Sequence, residues 1–247
     1  MIKSKIPILN ISHFWDQMSR SFYTLFAMQL VCLMFIIIYF FKPQKEKSIL
    51  LLFIISLASL IQTALTEAYL SGFVFFSKYF DQKSMYIYLI IELFCCSLYI
   101  RENIQSQISK KVVLTSSIGL ELYIITYWAL HFESRYLPLH IEIIEGFLII
   151  AFCLYYFYEL FTQRPDKDLL HTASFWAISG MLILFSAITP LFLFYDYLRK
   201  THYPLIQSLY IINNVSYCLL FITFVIAILC NKKQPTKIIH YNSKLFV

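Results

Sequence analysis

HIEIIEGFLIIAFCLYYFYELFT, residues His140–Thr162, is an unbroken apolar run with carboxylates at Glu142, Glu145 and Glu159. Its 23 residues match the length an α-helix needs to cross a bilayer core about 30 Å thick. Charged groups in such a helix are costly, so they face the protein interior or a watery cavity. Glu145 and Glu159 stand fourteen positions apart, only about 40° from one another around a 3.6-residue helix. They share a face, one toward each end of the span.

The rest of the chain is of the same kind. Its 247 residues are 60% hydrophobic, 19% aromatic and 14% charged, with a mean hydropathy of +0.68. Soluble domains are about a quarter charged. The charges fall between long apolar runs, the membrane pattern. The net charge of +6 therefore bears on membrane orientation, and nucleic acid is not expected as a partner.

Seven spans are expected, at about 21–41, 48–70, 84–100, 112–131, 140–162, 172–197 and 205–230. They divide the chain into an interfacial segment 1–20, an all-α seven-helix transmembrane domain 21–230 and a basic tail 231–247. Ile8, Ile11, Trp15, Met18 and Phe22 recur at helical spacing, which predicts a short helix lying at the membrane surface. Of the 20 Lys and Arg, eight fall on the amino-terminal side and twelve on the other. Because basic residues gather in the cytoplasm, the amino terminus is expected outside and the tail inside. Lipid bilayer is thus the first expected partner.

Polar residues form stripes within the spans. Ser56, Ser59, Thr63 and Thr66 recur at i, i+3, i+7 and i+10, beside Gln62. Tyr88, Glu92, Cys96 and Tyr99 follow in the third span, Ser117 and Glu121 in the fourth, and Gln207, Tyr210, Asn213, Asn214 and Tyr217 in the seventh. Lipid offers these groups no hydrogen-bond partner, so the stripes are expected to point inward. At 1.5 Å per residue, Glu92, Glu121, Glu145 and Asn214 lie roughly 8–15 Å below the outer surface. The expected site is an outer-half cavity lined by Glu92, Glu121, Glu145, Asn213 and Asn214. The alternative use for the same residues is hydrogen bonding between helices, at about 0.6–2 kcal/mol per contact.

Glu159 is expected to pair with Arg164 near the inner boundary, and Asp196 with Arg199 and Lys200 at i+3 and i+4. Pro190 removes a backbone hydrogen bond near Ser186 and is a candidate hinge. His13, His131, His140 and His202 flank the spans at spacings that do not suit a zinc site. The six cysteines lie within apolar runs, where a free thiol serves as a small hydrophobe. No metal or other cofactor is expected.

Seven spans with an external amino terminus resemble the rhodopsins and the G-protein-coupled receptors in outline. The last span lacks the lysine of a retinal Schiff base, and Tyr99-Ile100-Arg101-Glu102 departs from the receptor signature. The string Tyr155-Tyr156-Phe157-Tyr158-Glu159-Leu160-Phe161, followed by Phe175-Trp176 and Asn213-Asn214, is similar to a group of small bacterial seven-span proteins. That resemblance covers the last three spans and implies no established chemistry.

No nucleophile–base pair or metal triad emerges, so an enzyme is not expected. The expected function is a membrane receptor or sensor input module with an outer-half polar pocket for a small-molecule ligand. It would signal through a separate cytoplasmic or membrane partner. The alternative is a small-solute or proton-coupled transporter using Glu92, Glu121 and Glu145.

Overall fold

The computed structural model describes residues 11–41, 47–70, 80–131, 139–163, 169–201 and 203–230. Seven α-helices account for nearly all of them: α1 (Ile11–Phe41), α2 (Lys47–Leu70), α3 (Phe80–Asn103), α4 (Gln107–Leu130), α5 (Leu139–Gln163), α6 (Ala173–Thr201) and α7 (Tyr203–Cys230). A single 3-10 turn, Leu169–His171, precedes α6. The expected surface helix is not a separate element. Residues 11–20 are the first turns of α1, which continues into the first span. Nothing in Met18–Phe22 breaks a helix, since the stretch holds neither proline nor glycine. Residues 1–10 and the tail 231–247 lie outside the described residues.

All seven helices contain a stretch long and apolar enough to cross a membrane, among the described residues. Large apolar side chains also point outward along the bundle. Leu30, Leu33, Ile61, Leu122, Phe147, Leu154, Leu193 and Leu229 are all exposed. A water-soluble protein keeps such patches to a few hundred Å²; here they coat helix after helix. The chain is a multi-pass, all-α membrane protein.

Six helices close a ring in the order α1–α2–α3–α5–α6–α7, with α7 returning onto α1. Helix α4 lies outside the ring, packed mainly on α3 and lightly on α5. Helix α3 is consequently the most buried span. The half of the bundle holding the carboxyl-terminal ends of α1, α3, α5 and α7 has a solid apolar core. Phe35, Leu52, Ile55, Leu93, Ile149, Phe221 and Phe224 are all at 0–1% exposure there. The Phe35 and Phe224 rings stand 5.8 Å apart.

Two glycines allow the last three helices to meet closely. A β-carbon added to Gly146 of α5 would collide with Thr189 Oγ1 of α6. One added to Gly180 of α6 would collide with Thr223 Oγ1 of α7. Small residues at crossings are how membrane helices gain van der Waals contact, because lipid tails remove the hydrophobic incentive.

The α3–α4 connection spans three residues, 104–106, and Glu159 fastens it. Its carboxylate accepts the backbone N–H of Gln105 at 2.7 Å, the N–H of Ser106 at 3.2 Å and the Tyr155 hydroxyl at 3.0 Å. Tyr155 in turn accepts the Ser109 hydroxyl at 2.6 Å. The Glu159 carboxylate therefore holds a turn; the Arg164 expected to pair with it lies outside the described residues. Neighbouring members of the same aromatic string have interhelical roles. Tyr156 hydrogen-bonds Ser174 at 2.9 Å, and Phe157 meets Phe175 edge-on at 5.9 Å.

Candidate functional site

The amino-terminal ends of α1, α3, α5 and α7 do not pack to the centre. They leave a hollow of about 400 Å³, within the size range of small-molecule sites. The polar stripe of α2 supplies one wall through Ser59, Gln62, Thr63 and Thr66. Helical spacing sets all four on one side. Thr63 donates back to the Ser59 carbonyl at 2.8 Å, and Gln62 Nε2 donates to Thr66 Oγ1 at 3.4 Å. Asn213, Asn214 and Tyr217 of α7, Glu142 of α5 and Tyr88 of α3 supply the rest of the polar lining. Asn214 is partly committed, because its amide donates to Thr24 Oγ1 of α1 at 3.2 Å. Leu25, Met28, Met85 and Phe192 complete an apolar part of the lining.

Beneath the hollow the carboxyl groups gather. Glu92 is 3% exposed and sits one helical turn deeper than Tyr88. The Tyr88 hydroxyl donates to its Oε1 at 2.8 Å. The Tyr217 hydroxyl is 3.3 Å from that of Tyr88 and 3.5 Å from Glu92 Oε1. Two tyrosines thus form a floor that separates Glu92 from the space above. Glu145 is 1% exposed, and its Oε1 has no hydrogen-bond partner. It lies within electrostatic reach of Glu92, Glu142 and Glu121. Glu142 is 9% exposed, and its Oε2 also lacks a partner. A buried polar atom without a partner forfeits the hydration it had in water, at a cost of about 1–3 kcal/mol or more.

The structure therefore brings Glu92, Glu121 and Glu145 into one electrostatic neighbourhood, as the depth argument expects. It does not make them the lining. Asn213 and Asn214 line the hollow; Glu92, Glu121 and Glu145 are not among its lining residues. The reason is steric, since the rings of Tyr88 and Tyr217 fill the level at which Glu92 would emerge. Glu121 belongs to the outlying α4 and is only half-buried, with Oε1 unpartnered. The carboxylate that does reach the space is Glu142. Its depth, two residues inside the expected span, reads as interfacial. The signal that finds it is its i, i−3 relation to Glu145, which puts both on one helix face.

Among the described residues, no group of three histidine, cysteine, aspartate or glutamate side chains converges as a metal site requires. His140 meets the Tyr123 hydroxyl at 3.0 Å on the exterior, and His131 stacks on Tyr127. His13 is at the start of α1, where side chains are not described, and His202 is outside the described residues; the same holds for the side chains of Asp196, Arg199, Lys200, Gln207 and Tyr210. Pro190 lies inside α6, which continues as one helix on either side of it. Compared with family models, with curated proteins and with solved structures, the chain matches none.

Proposed function

We propose that this chain is a receptor-type input module whose hollow binds a small molecule and biases the packing of the bundle. The observation that carries the reading is the one-sided cavity. It lies in one half of the bundle, lined by polar groups from α2, α5 and α7 and by Tyr88 and Tyr217, while the other half is filled by the apolar core. A sensor needs an occupied site on one side and a deformable body beneath it, and it needs no passage through. In this reading Pro190 is the pivot in α6, Glu92 and Glu145 respond to the occupant through the tyrosine floor, and a separate protein on the opposite face receives the signal. With the amino terminus outside, as the basic-residue balance favours, the hollow faces the exterior.

Transport is the second reading. What favours it is the unpartnered buried Glu145 directly behind the hollow, since intramembrane carboxyls mark proton and ion routes in carriers. One experiment separates the two. The protein is reconstituted in liposomes and spin-labelled at exposed helix ends, Leu50→Cys on α2 and Phe161→Cys on α5, with Cys218 and Cys230 replaced by serine. A sensor changes the distance between labels when a ligand from a small-molecule panel binds, and it passes no solute or proton. Solute-coupled proton flux that Glu145→Gln abolishes would replace the first reading with the second.

A further inference from the structure

Glu142 stands on a wall shared by two spaces. On one side is the polar hollow; on the other is an apolar recess of about 190 Å³ bounded by Ile188, Leu191 and Leu209. Asn213, Met85 and Phe192 border both. We propose that the occupant is an organic cation, a small molecule carrying an ammonium group on an apolar body. Its charge sits against Glu142 and its body fills the recess between α6 and α7. This rests on the binding-site reading above and adds the chemistry of the ligand.

Four observations converge on it. The Glu142 Oε2 is buried and has no donor among the described residues. Among the described residues, none lining either space is basic, so none of them supplies a counter-charge there. Glu92 and Glu145 lie within electrostatic reach of Glu142, and a cation beside Glu142 offsets the repulsion that opposes ionising these carboxyl groups together. Tyr88, Tyr217 and Phe192 are in the lining, and aromatic rings attract a cation that has shed its water. An anion meets the opposite field. A neutral sugar can donate to the carboxylate but brings neither a counter-charge nor an apolar body for the recess. A bare metal ion lacks the converging ligands it needs, among the described residues. An alkyl or aryl ammonium satisfies both the charge and the recess.

That chemistry occurs in water-borne amines and in the headgroup of phosphatidylethanolamine, and the test distinguishes them. The full chain in phosphatidylcholine nanodiscs is titrated calorimetrically with 2-phenylethylamine, 2-phenylethanol and phenylacetate. The amine is expected to bind saturably, and the alcohol and the acid are not. Glu142→Gln should weaken the amine by about thirtyfold or more, the usual cost of removing one partner of a buried charged contact. Adding phosphatidylethanolamine to the nanodiscs lowers the amine's apparent affinity if the lipid headgroup is the natural occupant, and leaves it unchanged if the occupant arrives from water; either result supports the cation. Equal binding of the alcohol, an unaffected Glu142→Gln, or no saturable binding of the amine overturns it. Asn213→Trp, which fills the hollow, tells the two failures apart. If the neutral and charged probes bind alike and the tryptophan abolishes both, the pocket stands and the cation falls. If it abolishes neither, the pocket reading falls as well.

Discussion

Gly180 and Thr223 meet so closely that a single methyl group on the glycine has nowhere to go. Gly180→Ala must push α6 and α7 apart or turn Thr223 out of its rotamer, and Thr223 already donates to the Leu220 carbonyl at 2.7 Å. Overpacking of this kind costs about 1–3 kcal/mol, which should appear as a lower midpoint of thermal unfolding in nanodiscs. Thr223→Ala in the same molecule should recover part of the loss. Gly119 is the control, since nothing lies within 4 Å of its β-carbon position. Gly119→Ala should be neutral or stabilise by up to about 1 kcal/mol, the helix-propensity difference. If both glycines tolerate alanine equally, the α6–α7 approach is not what it is described to be. Side-chain position at this scale is also where Glu142 replaces Glu92 as the carboxylate facing the hollow. Sequence gives depth along a helix to within a turn; it does not give the volume of the tyrosine rings beside it.

Pro190 belongs to the scale of the helix. Without an N–H it leaves the Ser186 carbonyl unanswered within α6, and yet the helix runs from Ala173 to Thr201. As a pivot it would let the amides just beyond it exchange with solvent more readily than those of the same helix below Ser186. Pro190→Ala restores the bond and should slow hydrogen exchange over Ile188–Phe194 while reducing any ligand-driven change in label distance. Unchanged exchange there removes the hinge. Helices were the most legible feature of the sequence, because long apolar runs admit only one backbone solution in lipid. The inward stripe on α2 was legible for the same reason, as Ser56 and Ser59 are both buried. What periodicity did not reveal was the start of α1, where the chain stays helical from Ile11 although its apolar character changes. Nor did charge spacing reveal Glu159 as the fastening of the α3–α4 turn, a long-range contact 53 to 54 positions away.

For the whole molecule, the ring of six helices with α4 outside explains why α3 is the most buried span. It packs against α2, α4 and α5, so Glu92 finds partners there that lipid would deny it. The same arrangement gives the two ends of the bundle different characters, one hollow and one filled. The distribution of Lys and Arg predicts the end with the hollow to face out. A green fluorescent protein fused after Val247 should fluoresce in a bacterial host, and an alkaline phosphatase fused at the same point should be inactive. The reverse pair of results turns the molecule over, and the hollow then opens to the cytoplasm.

The two glycine crossings sit in opposite halves, Gly146 against Thr189 near the hollow and Gly180 against Thr223 near the filled end. Pinned at both levels, α5, α6 and α7 cannot slide past one another without lifting apart, so they should travel as a block. The mobile partner is then the α2–α3 pair, whose seams with α1 and α5 are slighter than the one α1 makes with α7. A molecule entering between Gln62 and Glu142 would act as a wedge across that division, and its effect would be felt first where α2 leaves the membrane on the far side.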